Sequence, residues 1–99
     1  MNNVMSSQVV RVHVEFYGIA RARTGVAESI LEVPKSETTL GTLFVCLVDR
    51  FPALEECFDG PDLRSGFTAN IGGLRFVKSP DEPLQDGDVV LLMSADVGG

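Results

Sequence analysis

Apolar and polar residues alternate in two runs near the start of the chain. In the first run, from Val9 to Tyr17, Val10, Val12, Val14 and Phe16 form one row, and Arg11, His13 and Glu15 point the other way. A period of two is typical of a strand with one buried face. A second strand is predicted from Ala27 to Val33, with Ala27, Ser29, Leu31 and Val33 as its inner row. The connection, Ile19 to Gly25, is predicted to be a loop or short turn, short enough for an antiparallel hairpin.

The clearest helical pattern follows the second strand. Six apolar residues recur at the spacing of one helix face: Leu40, Leu43, Phe44, Leu47, Val48 and Phe51. Thr38 or Thr39 is the predicted N-cap, and Pro52 is predicted to end the helix. We expect this helix to lie across one face of a sheet and to supply much of the core.

The second half of the chain contains three further apolar runs. The acidic stretch from Ala53 to Gly66 is predicted to hold a short helix and then a loop, with Leu54, Phe58 and Leu63 as anchors. Phe67 to Ile71 and Leu74 to Val77 flank Gly72-Gly73, which predicts a hairpin. The last run, Val89 to Met93, is apolar on both faces, as is typical of a central strand.

A central strand with a helix on one side leaves an apolar patch on the other side unless a loop covers it. Such a patch on a small protein often marks a partner site. The residues expected there are Phe76, Leu91 and Met93.

The order strand, strand, helix, strand, strand, strand predicts an α+β fold of the β-grasp (ubiquitin-like) type. We expect a mixed sheet of four to five strands with one main helix packed across one face. Residues 1–8 are expected to be a flexible lead-in, 9–94 the β-grasp domain and 95–99 an extended tail.

Composition narrows the class of partner. The 99 residues are enough for one domain, and 44% of them are hydrophobic, but no run approaches a membrane span and no secretory signal is recognisable. A cytoplasmic location is therefore expected. The formal net charge of −6 argues against nucleic acid and favours a basic protein surface, although acidity that serves only solubility is an equal alternative.

Catalytic side chains are scarce. Cys46 and Cys57 are too few for a disulfide framework or a four-cysteine metal site, and both are predicted to be incidental thiols. His13, the one histidine, is predicted to be a surface strand residue, so the sequence indicates neither a metal centre nor a catalytic cluster.

The chain stops on Gly98-Gly99, after the last predicted strand. A terminus without Cβ atoms can enter a narrow channel and adopt backbone angles closed to other residues. A chance ending is the alternative.

Ordered segments along the chain carry a resemblance to a known family. The segments are Val12–Gly18, Arg21–Gly25, Leu31–Pro34, Thr39–Leu43, Pro52–Leu54, Asn70, Gly72-Gly73, Pro83-Leu84, Gln85–Val89 and Val97–Gly99. Together they resemble the MoaD/ThiS family of ubiquitin-like sulfur carriers, and within it the small subunit of molybdopterin synthase.

The resemblance implies that the carboxylate of Gly99 is the working group and that no side chain is catalytic. In this family a ubiquitin-activating-type enzyme adenylates that carboxylate with ATP, and a persulfide donor protein supplies sulfur for a thiocarboxylate. The carrier itself binds no cofactor and no metal. The sulfur acceptor implied is the large subunit of molybdopterin synthase or another protein.

The same resemblance assigns further residues. Gly98, Val97 and Asp96 would enter the partner's channel, and Arg21 and Arg23 in the family-like loop would contact a partner. Asp96 departs from the Pro or Ala expected at its position. A thiamine-type or other sulfur carrier, a ubiquitin-related protein modifier and a non-catalytic β-grasp interaction module stay open as alternatives.

Overall fold

The computed structural model describes residues 8–94, so the predicted tail and all but Gln8 of the predicted lead-in lie outside the described residues. Its elements in chain order are β1 (Val9–Phe16), α1 (Ile19–Thr24), β2 (Glu28–Pro34), a 3₁₀ turn (Lys35–Glu37), α2 (Leu40–Arg50), a 3₁₀ helix (Pro52–Cys57), β3 (Phe58–Asp59), β4 (Asp62–Leu63), β5 (Phe67–Ile71), β6 (Arg75–Val77) and β7 (Val89–Ser94). None of the described helices is long and apolar enough to cross a membrane.

A mixed five-stranded sheet forms one layer of the fold. The strand order is β2-β1-β7-β5-β6, with β1 and β7 parallel and the other neighbouring pairs antiparallel. The predicted central position of the last strand is therefore confirmed, as are the α+β class and the β-grasp architecture. The strands β3 and β4 form a separate two-stranded hairpin.

The predicted inner rows of the strands pack against α2 and form a single hydrophobic core with it. The four residues of the predicted inner row of β1 are buried, and so are Leu31 and Val33 of β2 and Val90 and Leu92 of β7. On α2 the first four residues of the predicted stripe are fully buried, whereas Val48 and Phe51 are partly buried at its edge. One layer of helix thus covers one face of the sheet.

The ends of α2 follow the predicted signals. Thr39 is the N-cap: the backbone N–H of Thr42 donates to its Oγ1 over 3.3 Å. The remaining free N–H groups of the first turn donate to the loop 79–84, Leu40 to the carbonyl of Glu82 and Gly41 to that of Pro80. This loop is therefore fastened to the start of the helix.

Gly41 allows this close approach. A Cβ on Gly41 would lie 2.9 Å from the Cβ atoms of both Pro61 and Pro80 and 3.1 Å from the carbonyl oxygen of Pro80. Two loops therefore pack directly against the helix backbone at this residue.

Three local predictions were wrong. The segment predicted as a loop or turn, Ile19 to Gly25, contains the six-residue helix α1, which is too short to show a hydrophobic period; only Ala20 of this helix is buried. Ala27 is exposed and β2 begins at Glu28, so Ala27 is not part of the inner row. Leu74 lies in the turn before β6 and is 89% exposed.

The predictions for residues 53–66 were confirmed in outline. The short helix is the 3₁₀ helix Pro52–Cys57, and the loop is the β3–β4 hairpin. Leu54 and Phe58 are buried, and Leu63 is partly buried. The ring of Phe58 stacks on Phe44 of α2 with centroids 4.5 Å apart, which fixes this segment to the helix.

Candidate docking face and the base of the tail

The face of the sheet opposite α2 is called the open face here. Its residues follow from the strand registers, because side chains alternate between the two faces of a strand. One cross-strand row runs from β2 to β6 through the register partners Glu28, Glu15, Leu91, Asn70 and Phe76. A second row pairs Met93 with Thr68.

The structure brings Phe76, Leu91 and Met93 together on the open face; these three residues are called the apolar patch. Phe76 is 70% exposed, while Leu91 and Met93 are half-buried. At Phe76, therefore, no segment among residues 8–94 covers the face. Apolar side chains grouped on one exposed face of a sheet are typical of a partner site.

Asn70 lies between Leu91 and Phe76 and was not predicted to have a role. It is only 6% exposed, and its Oδ1 has no hydrogen-bond partner among the described residues. A buried acceptor without a donor destabilises a protein. One unsatisfied polar group therefore lies between two residues of the apolar patch.

The other half of the open face is mainly charged, with the exposed Ile30 of β2 as its apolar member. Arg11 pairs with Glu32 at 3.4 Å, and Nε2 of His13 is 2.7 Å from Oε1 of Glu28. The hydroxyl of Tyr17 donates to Glu15, which adjoins Leu91 in the register. The open face thus changes from charged at β2 to apolar at β6.

Ser94, the last residue of β7, is held from two sides. It pairs with Phe67 of β5, and its Oγ accepts a hydrogen bond of 3.1 Å from the N–H of Ile19 at the start of α1. A Cβ on Gly18 would lie only 2.2 Å from Oγ of Ser94, and Gly18 has a φ of 63°. Glycine at this position therefore allows α1 to hold the point from which the tail departs.

The predicted tail residues Asp96, Val97, Gly98 and Gly99 lie outside the described residues. Their roles stay predictions.

Arg21 and Arg23 are exposed on α1 and do not belong to the rows of the open face. Arg23 forms an ion pair with Glu56 of the 3₁₀ helix Pro52–Cys57. This contact fastens α1 to the segment after α2, so Arg23 has a structural contact in addition to its predicted partner contact.

The two thiols lie on the helix side of the sheet. Cys57 is buried, and this burial, with the neighbouring Glu56 carboxylate, raises the pKa of its thiol to about 11. Burial also raises the pKa of Cys46, with a smaller contribution from Asp49. Both thiols are therefore protonated near neutral pH, and a thiol is a much weaker nucleophile than a thiolate.

Comparison with solved structures identifies the class of protein to which this fold belongs. No protein-family model matches the chain, and no curated protein matches it by sequence. Small archaeal modifier protein 1 from Haloferax volcanii superposes with a TM-score of 0.77 at 22% identity, over 90% of this chain and 99% of the other. A Pyrococcus furiosus protein provisionally assigned as molybdopterin converting factor, subunit 1, gives 0.72 at 29% identity, over 86% and 97%.

Urm1 from Trypanosoma brucei gives a TM-score of 0.66 at 22% identity over the whole of both chains. The fold and these neighbours define the class as small ubiquitin-like β-grasp proteins. Within it, the neighbours are of the MoaD/ThiS-like kind, which confirms the resemblance predicted from the sequence.

Proposed function

We propose that this protein is a cytoplasmic sulfur carrier whose Gly99 carboxylate is adenylated and then converted to a thiocarboxylate. The observation that carries the proposal is the position of β7. This central strand contributes Leu91 and Met93 to the apolar patch and leads directly into the sequence Ala95 to Gly99. One element therefore joins a docking surface to the reacting group.

The chemistry needs an activating enzyme rather than a side chain of this chain. A terminal carboxyl group has a pKa of about 3.3–3.7, so at neutral pH it is an anion and a poor electrophile. In the adenylation step a carboxylate oxygen attacks the α-phosphate of ATP and pyrophosphate leaves. The terminal sulfur of a persulfide protein then displaces AMP, and a thiol reductant cleaves the resulting acyl disulfide to release the thiocarboxylate.

The apolar patch is the surface that we propose for the adenylating enzyme. Beyond Ser94, five extended residues reach about 16 Å at roughly 3.3 Å each, enough to enter an active site while the domain stays outside. Gly98 and Gly99 lack Cβ atoms and suit a narrow channel, Val97 packs at its mouth, and Asp96 influences which partner is accepted. The net charge of −6 favours a basic surface around that channel.

The sulfur acceptor that we propose is the large subunit of molybdopterin synthase. Support comes from the Pyrococcus furiosus neighbour, which is assigned to molybdopterin conversion and has the highest identity of the three structures described. A second candidate function, attachment to lysines of other proteins, is favoured by the modifier neighbour from Haloferax volcanii. Both functions begin with the same adenylated glycine.

Intact-mass spectrometry tests the proposal. The protein is incubated with ATP, a persulfide donor, a reductant and the adenylating enzyme of its own organism. The expected product is heavier by the difference between one sulfur and one oxygen atom. Adding one alanine after Gly99 should abolish this product, whereas adding one alanine before Met1, the matched control, should not.

The acceptor is identified in a second step. The thiocarboxylate form is mixed with the large subunit and its pterin precursor, or with cell protein. Return to the carboxylate mass with formation of a dithiolene supports molybdopterin synthesis, and an amide linkage to lysine supports the modifier function. Unchanged mass in the first experiment, or equal activity of the variant extended after Gly99, would contradict the carrier mechanism.

A further inference from the structure

His13, Glu15 and Glu28 form a cluster on the open face where β1 meets β2. One ligand atom from each residue, an imidazole nitrogen and two carboxylate oxygens, lies within 4.8 Å of the other two. His13 and Glu15 are two positions apart on β1, and Glu28 is the register partner of Glu15. The proposed sulfur-carrier function uses none of these three side chains.

The register forces two carboxylates to face each other. The N–H of Phe16 donates to the carbonyl of Ala27, so the next pair, Glu15 and Glu28, occupies a non-hydrogen-bonded position of the ladder. Side chains are closest at such positions, and like charges directly opposite each other are destabilising. No Lys or Arg in the range 8–94 forms an ion pair with either carboxylate.

His13 is the side chain that contacts one of these two carboxylates. Its Nε2 lies 2.7 Å from Oε1 of Glu28, within hydrogen-bond distance of that carboxylate. The nearest guanidinium along β1, that of Arg11, is paired with Glu32 instead. The cluster therefore has two carboxylates, one imidazole and a deficit of positive charge.

Tyr17 holds one of the carboxylates in place. Its hydroxyl donates a hydrogen bond to Oε1 of Glu15. Such outer hydrogen bonds orient the ligands of metal sites.

We propose that His13, Glu15 and Glu28 bind a divalent transition-metal ion of the zinc type, with water completing the coordination. Zinc lies about 2.0–2.2 Å from nitrogen and oxygen ligands, which places the ligand atoms of a tetrahedral site about 3.3 Å apart. Rotation of side chains on two fixed, paired strands brings the cluster to that spacing. The imidazole favours zinc over calcium and magnesium, which prefer oxygen ligands alone.

Binding places the metal ion between Nε2 of His13 and Oε1 of Glu28, which now contact each other directly. It also neutralises the carboxylates of Glu28 and Glu15, and Glu15 is the register partner of Leu91. The bound ion thus changes the charge at the border of the apolar patch. The site itself does not depend on the proposed sulfur chemistry.

Titration calorimetry of the full chain with zinc chloride tests the site, in a non-chelating buffer with a non-thiol reductant. We expect one ion per chain, and affinity lowered about tenfold or more in both His13→Ala and Glu28→Gln. Glu32→Gln is the matched control, because Glu32 lies on the same strand and face but pairs with Arg11. Its zinc affinity should equal that of the unaltered protein.

Two further measurements locate the ion. Nitrogen-15 correlation spectra should show zinc-dependent shifts centred on residues 13–17 and 28–30, and magnesium should not displace the zinc. The Cys46→Ser variant should bind zinc normally. Unchanged affinity in His13→Ala, absence of saturable binding, loss of binding in Cys46→Ser or displacement by magnesium would each overturn the proposal.

Discussion

Phe76 offers the sharpest test of the docking face, because its neighbour Val77 lies on the opposite face of the same short strand. Phe76 is 70% exposed, whereas Val77 is 7% exposed and belongs to the core. The two substitutions Phe76→Ala and Val77→Ala therefore alter neighbouring residues of one strand that lie on opposite faces of the sheet. Phe76→Ala should mainly weaken binding of the partner, whereas Val77→Ala should mainly lower the stability of the fold.

The expected magnitudes follow from the exposed area. A Phe side chain buries about 150–250 Å², so 70% exposure leaves about 100–175 Å² to be buried by a partner. At about 25 cal/mol per Å² this is worth about 2.5–4.4 kcal/mol as an upper bound. Since a partner covers only part of that area, Phe76→Ala should weaken binding by about 2–3 kcal/mol, or about 30- to 150-fold in Kd.

The same substitution removes only about 45–75 Å² of buried area, so the free energy of unfolding should fall by about 1–2 kcal/mol. Val77→Ala should lower it by about 1.5–3 kcal/mol and leave the Kd unchanged. Calorimetry against the adenylating enzyme gives the Kd, and urea unfolding followed by circular dichroism gives the stability. If Phe76→Ala binds as tightly as the unaltered protein while Val77→Ala shows its stability loss, the open face is not the docking surface.

Four further predictions concern the fold and the groups within it. Leu47→Ala should lower the free energy of unfolding by about 2–5 kcal/mol, because Leu47 is fully buried; a loss below about half a kcal/mol in urea unfolding would contradict this. Gly41→Ala should destabilise by about 1–3 kcal/mol despite the better helix propensity of alanine, since the new methyl group meets Pro80; a gain in melting temperature would refute the close packing. Stability should fall as pH rises from about 9 towards about 11, because folded Cys57 keeps a proton that the unfolded chain has lost, and the slope should be shallower in Cys57→Ala. Asn70→Leu should raise the free energy of unfolding by about 1 kcal/mol, because it removes a buried unpaired acceptor; a loss of stability would show that the amide is satisfied.

The amino-acid sequence by itself determined the main elements and the two faces of the sheet. Alternation along β1 and the helical spacing from Leu40 to Leu47 are local patterns, and burial of one side of each element follows from them directly. Thr39 and Pro52 mark the ends of α2 for equally local reasons. The resemblance to the MoaD/ThiS-like proteins likewise depends on the order of short segments along the chain.

Contacts between distant segments were decided only by the tertiary structure. The short helix α1 is stabilised by the burial of Ala20 and by contacts with β7 and the 3₁₀ helix Pro52–Cys57, and six residues are too few to reveal a period. The requirement for glycine at Gly18 and Gly41 comes from Ser94 and Pro80, which are far away in sequence. Asn70 shows nothing unusual in the sequence, yet the sheet places it between Leu91 and Phe76.

The cluster of His13, Glu15 and Glu28 is a further example. The sequence shows one histidine with one glutamate on the same row of a strand, and the third residue joins them only through the register of β2 on β1. A shift of one residue would turn Glu28 to the other face. Local patterns therefore determined which side chains are exposed, and the pairing of the strands decided which of these side chains contact one another.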